Sequence, residues 1–126
     1  PELLHALDFM RSKMDLFQKT GGCHGAALLD SYGNVAYVSE DIGRHNAVDK
    51  TIGLALFSGR LAFNEYTLLL SGRCGWDIVA KATRIGISSI ASVGAFSSAA
   101  LDLARANGIS LYGFVRETGA WKAGIN

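Results

Sequence analysis

Leu3, Leu7, Met10, Met14 and Phe17 recur at helical steps of three and four, with Pro1 where a first-turn proline is tolerated, so residues 2–19 are predicted to form one amphipathic helix. Two short apolar runs follow, residues 23–29 and 35–39. The turn-forming stretch Asp30-Ser31-Tyr32-Gly33-Asn34 between them predicts an antiparallel hairpin. A helix over residues 45–58 is expected to bury Val48, Ile52, Ala55 and Leu56 and to stop at Gly59, and residues 66–70 read as a buried strand. The pattern then alternates: helix 75–85 stopped by Gly86, strand 88–92, helix 97–107 stopped by Gly108, strand 110–115. Such alternation predicts parallel strands joined by crossover helices, hence an α/β three-layer sandwich. With no linker, repeat or low-complexity stretch and a single proline, residues 1–126 read as one domain.

Composition narrows the class. A chain of 126 residues can bury roughly two-thirds of its unfolded surface without a staple. The apolar fraction of 49% and mean hydropathy of +0.22 suit a sheet covered on both faces or an added oligomer contact. No apolar run approaches the ~18 residues of a spanning helix, and no targeting segment opens the chain, so a cytoplasmic protein without membrane association is expected. Twelve Lys and Arg against eleven Asp and Glu give a net charge of +1 and no general nucleic-acid footprint. Cys23 and Cys74 are the only cysteines and form no C-x-x-C pair, which argues against a disulfide framework or a structural zinc site. The start at Pro1 reads as that of a fragment or processed product.

Parallel strands place their C-terminal loops on one edge, where open α/β sheets bind ligands. Those loops contain residues 40–46, 71–73, 93–98 and 116–119, and the antiparallel first strand adds Thr20, Gly21, Gly22 and His24. Arg44, Arg73 and Arg116 follow the strands, and a guanidinium suits bidentate capture of phosphate or carboxylate. An anionic, nucleotide-like ligand is therefore expected, with helix starts and glycines allowing close backbone approach. Ordinary caps, turns and solvated arginines are the competing reading. His45 and Asp49 lie one helical turn apart, as do Asn46 and Lys50, so each pair can hydrogen-bond. His24 is as well explained structurally, and His5 as a surface residue. Cys74 stands near a helix start, where a thiol can be activated; burial in the core is the reading preferred for both cysteines.

The ordered segments Thr20-Gly21-Gly22-x-His24, residues 40–50 as Glu-Asp-x-Gly-Arg-His-Asn-Ala-Val-Asp-Lys, Ser71-Gly72-Arg73, Lys81-Ala82, Gly86-Ile87 and Gly113-Phe114-x-Arg116 resemble the C-terminal portion of the FdhD family, accessory sulfur carriers for molybdenum- or tungsten-dependent formate dehydrogenases. The resemblance implies a cytidine-deaminase-like sheet. It also implies that sulfur from a cysteine desulfurase, carried as a persulfide, reaches the molybdenum bis(molybdopterin guanine dinucleotide) cofactor, with GDP-like binding, formate dehydrogenase as client and a homodimer. The family's sulfur-carrying C-x-x-C precedes this region and is absent from the chain, so no residue here is assigned a catalytic role and no directly bound metal is expected.

Loops and resemblance together nominate Thr20, Gly21, Gly22, His24, Asp41, Gly43, Arg44, His45, Asn46, Asp49, Lys50, Ser71, Gly72, Arg73, Ser97, Phe114, Val115, Arg116, Glu117, Thr118 and Gly119 as cofactor-binding, although the tail after Arg116 departs from the family's usual glycine-and-basic stretch. A non-catalytic nucleotide-binding chaperone module is the alternative. A zinc deaminase is disfavoured, because Ala47 stands where H-x-E needs its glutamate and P-C-x-x-C is lacking.

Overall fold

The computed structural model describes residues 2–14, 22–59, 62–116 and 119–123, from residue 114 onward by backbone alone apart from Lys122. Helix α1 (Glu2–Ser12) buries Ala6, Leu7 and Met10. It ends well short of the predicted residue 19: Ser12 Oγ donates to the Phe9 carbonyl at 2.6 Å, and Lys13 and Met14 close three-residue turns onto Met10 and Arg11. The periodicity survived the stop because Met14 is still fully buried, now against Gly25. Phe17 lies outside the described residues.

Strands β1 (His24–Leu29) and β2 (Val35–Asp41) form the expected hairpin. Its turn is set by Asp30 Oδ1, which accepts from the amides of Tyr32 and Asn34, both at 2.9 Å, and by Gly33 at φ 89°. Helix α2 (Arg44–Phe57), β3 (Thr67–Leu70), α3 (Trp76–Ile85), β4 (Ser89–Ser92), α4 (Ser98–Asn107) and β5 (Ser110–Arg116) follow the predicted alternation. Gly86 and Gly108 take left-handed φ values of 85° and 69° just beyond α3 and α4, which glycine adopts without a Cβ penalty. An additional strand, β6 (Gly119–Ala123), pairs antiparallel with β5.

The sheet order is β2-β1-β3-β4-β5-β6. Strand β1 is antiparallel to both β2 and β3, and β3, β4 and β5 are mutually parallel. The C-terminal ends of β2 through β5 therefore share one rim with the N-terminal end of β1. The alternation of strand residues divides the core into two layers. Ala26, Leu28, Leu68, Leu70, Ile90 and Leu111 meet α2, α3 and α4 on one face, while Ala27, Leu69 and Ala91 meet α1 on the other. This is a three-layer sandwich. Each fully buried Leu or Ile contributes about 1.5–3 kcal/mol relative to exposure.

Thr51, buried inside α2, donates to the Ala26 carbonyl at 2.9 Å and fixes the helix over β1. Leu56 corrects an expectation: it is 47% exposed, as the core-facing stripe of α2 ends at Ile52 and Ala55. Among the described residues no helix is long and apolar enough to cross a membrane.

Candidate functional site

The rim shared by β2, β3 and β4 is tied together loop by loop. At the end of β2, Asp41 Oδ1 accepts from the Gly43 amide at 3.0 Å and Oδ2 pairs with Lys50 at 2.8 Å, while Asn46 reaches Oδ1 at 3.4 Å. With these donors, Lys50 foremost, the Asp41 carboxyl is held down to about 2. The result is a fixed start for α2 that sends Arg44 across to the next loop, where its Nη1 donates to the Arg73 carbonyl at 3.3 Å.

The β3 loop is joined to both neighbours. Ser71 Oγ accepts from the Gly25 amide at 2.7 Å, and the Ser71 amide donates to the Gly25 carbonyl at 3.1 Å. On the other side, a Cβ at Gly94 would sit 3.0 Å from the Arg73 nitrogen and 3.1 Å from the Gly72 carbonyl carbon, so the two loops approach at backbone contact. Between them lies a cleft of about 550 Å³ lined by His24, Ser71, Gly72, Arg73, Val93 and Gly94, with Leu4 and Arg11 of α1 at its side.

Arg73 and, from the neighbouring loop, Arg44 make this end of the cleft positive. Neither the Arg44 nor the Arg73 guanidinium has a carboxylate partner among the described residues. His24 registers the field: burial first, then Arg44 and Arg73, push its pKa below the usual 6.5. A second cleft of about 550 Å³ at the opposite rim, between α1 and the hairpin turn, has no Lys or Arg in its lining and offers no such pull on an anion.

The nominated residues separate accordingly. Brought together are His24, Asp41, Gly43, Arg44, Asn46, Lys50, Ser71, Gly72 and Arg73. The side-chain pairs expected within α2 are replaced by pairs between elements: His45 Nε2 lies 3.2 Å from Asp77 Oδ2, Lys81 engages Asp49, and Asn46 and Lys50 both turn to Asp41. Helices α2 and α3 lie side by side at their N-terminal halves, and the nearer partners win. His45 and Asp49 thus join helices.

Ser97 caps α4 by accepting from the Ala100 amide at 3.1 Å. Gly22 is exposed beside the rim. Phe114, Val115 and Arg116 continue β5 and Gly119 opens β6, in backbone only, whereas Thr20, Gly21, Glu117 and Thr118 lie outside the described residues. Sequence reasoning missed Arg11, which carries no signal on a polar helix face, and Ser92, which reads as the last residue of a strand.

A family model described as the FdhD/NarQ family matches residues 1–121. The chain belongs to the FdhD/NarQ family. It is 47% identical over 117 residues to a "Sulfur carrier protein FdhD" of Streptomyces avermitilis and 46% identical over 110 residues to one of Picrophilus torridus, matches that cover 92% and 87% of this chain. The chain spans 42% of the length of each of those relatives. Among solved structures, a putative formate dehydrogenase accessory protein from Desulfotalea psychrophila superposes with a TM-score of 0.88 at 32% identity, covering 98% of this chain and 53% of that one. A diaminohydroxyphosphoribosylaminopyrimidine deaminase/5-amino-6-(5-phosphoribosylamino)uracil reductase from Thermotoga maritima gives 0.67 at 17% identity, covering 90% and 37%. The dCMP deaminase of cyanophage S-TIM5 gives 0.60 at 12%, covering 86% and 95%.

The likeness of this FdhD/NarQ chain to deaminases is one of fold. Cys74 is buried, and burial pushes its thiol up to about 12. Its backbone is bridged to that of Phe96, which pairs the β3 and β4 loops. Among the described residues no three His, Cys, Asp or Glu side chains converge to hold a metal ion.

Proposed function

We propose that this FdhD/NarQ domain binds the guanine-dinucleotide form of the molybdenum cofactor through a phosphate group, as part of a longer formate dehydrogenase accessory protein that delivers sulfur to it. The observation that carries the reading is a pair of guanidiniums without carboxylate partners among the described residues: Arg73 lines the cleft, and Arg44 reaches from the neighbouring loop to the Arg73 carbonyl. Two cations on adjoining loops repel one another. An anion between them turns that repulsion into charge-assisted hydrogen bonds. The names of the curated relatives and of the solved accessory protein support the assignment to sulfur delivery.

In this reading Arg44 and Arg73 hold the phosphate, glycines admit it to the backbone, and the fixed Asp41–Lys50 pair keeps the start of α2 in place. Sulfur is carried by cysteines beyond these 126 residues, since the chain holds no C-x-x-C and Cys74 is buried. The partners are then a cysteine desulfurase as donor, formate dehydrogenase as recipient and a second copy in a homodimer. Calorimetry with GDP tests the site: measurable binding that Arg73→Ala weakens ~10- to 100-fold is expected, the range for one charge-assisted contact. Absence of heat from the intact protein overturns the assignment. Desulfurase assays should find no transfer by this chain alone, and detectable transfer would contradict the division of roles.

A further inference from the structure

Ser92 is the last residue of β4 and is fully buried, one of very few polar side chains in the core. Its hydroxyl faces two main chains at once. Oγ donates to the carbonyl of Gly72 and accepts from the amide of Gly94 at 2.9 Å. One hydroxyl has one proton to give, so giving it to Gly72 and receiving from Gly94 uses it in a single defined orientation.

The consequence lies on the far side of the Gly72–Arg73 peptide. In a trans peptide the carbonyl and the following N–H point in opposite directions, and all peptide bonds described here are trans. Turning the Gly72 carbonyl inward to Ser92 therefore turns the Arg73 amide outward. Among the described residues that amide and the Gly72 amide find no acceptor. Both residues line the cleft. Consecutive backbone N–H groups that point into a concavity make an anion site with no side-chain entropy to lose.

We infer that Ser92 is a positioning residue, which orients the Gly72–Arg73 peptide so that its N–H, and not its carbonyl, meets the phosphate of the bound nucleotide. The inference rests on the nucleotide-binding reading above. Without the hydroxyl, the peptide is free to rotate and present its carbonyl, a partial negative charge, to the anion.

Ser92→Ala and Ser92→Thr, compared with the parent protein by GDP calorimetry over a series of salt concentrations, separate this role from others. Ser92→Ala is expected to weaken GDP about tenfold while leaving the salt dependence unchanged, because no charge is lost; Arg73→Ala lowers that dependence. Ser92→Thr keeps the hydroxyl and is expected to recover most of the affinity. In amide NMR spectra the Arg73 cross-peak should move downfield on adding GDP to the parent protein and stay in place in Ser92→Ala. If the alanine variant fails to fold, Ser92→Cys, whose thiol is a poor donor, takes its place with the same expected loss. GDP binding by the parent protein that is equal in Ser92→Ala or Ser92→Cys overturns this inference alone. No binding by the parent protein overturns both it and the nucleotide reading.

Discussion

A Cβ on Gly72 would lie 3.2 Å from Nδ1 of His24, so the first imidazole of β1 is seated directly against the backbone that follows β3. The contact makes His24 a reporter of the cleft. Burial, Arg44 and Arg73 all favour its neutral form and lower its pKa below 6.5. For a histidine shifted this way the unfolded chain binds the extra proton. Stability is therefore full above 6.5, falls as pH drops below it and levels off below the folded value. Urea unfolding from pH 7.5 to 5 should show that slope, and His24→Gln should flatten it. Imidazole NMR titration should place the pKa higher in Arg73→Ala, and higher again when GDP supplies a countercharge.

Asp41 is shifted with the opposite sign of charge. Its carboxylate is stabilised first by Lys50, then by the Gly43 amide, and titrates at about 2 against 3.8 for a free group. The stabilisation it lends is present above 3.8 and is lost as pH falls through about 2. Lys50→Met should raise the Asp41 pKa toward the free value in a carboxyl-carbon NMR titration, and should loosen the start of α2. An unchanged titration curve would mean that Lys50 does not hold Asp41 in solution.

Cys74 supplies a chemical check on the core. With its thiol buried and its pKa raised to about 12, the thiolate fraction at neutral pH is negligible, and the thiolate is the reacting species. Iodoacetamide at pH 8 should leave Cys74 unmodified in the folded protein and alkylate it only above the urea midpoint, as read by peptide mass mapping. Rapid labelling under native conditions would contradict its place between the β3 and β4 loops.

These sites show which parts of the molecule were legible in the sequence. The hairpin, α2 to α4 and the parallel strands were readable because local signals coincide there: helical spacing, Gly86 and Gly108 at helix ends, apolar runs between them. The common rim followed from topology alone, so Arg44 and Arg73 could be placed together before any coordinates. Strand β6 was missed because Gly119-Ala120-Trp121-Lys122-Ala123 has no β-branched residue and reads as a tail. The pairing of His45 with Asp77 and of Lys81 with Asp49 was also hidden, since spacing within a helix says nothing of which neighbouring helix brings a closer charge. Ser92 was invisible for a related reason: its partners, Gly72 and Gly94, are main-chain atoms contributed by two separate loops.

Gly94 tests the close approach of those loops most directly. An added Cβ would meet the Arg73 nitrogen at 3.0 Å, the Gly72 carbonyl carbon at 3.1 Å and the Arg73 Cα at 3.3 Å, all of them backbone atoms. Retreat is blocked, because the loops are bonded just beyond, from the Cys74 amide to the Ala95 carbonyl at 2.9 Å and from the Ser97 amide to the Cys74 carbonyl at 3.1 Å. Gly94→Ala should therefore destabilise the fold by ~1–3 kcal/mol, the usual cost of overpacking, and weaken GDP by displacing Arg73. Gly53→Ala is the matched control: its Cβ on α2 meets nothing within 4 Å, and replacing a helical glycine should stabilise by ~0.5–1 kcal/mol with GDP affinity unchanged. Denaturant midpoints and calorimetry on the two variants decide the matter, since a Gly94→Ala protein that binds GDP as tightly as its parent would remove the β3 and β4 loops from the site.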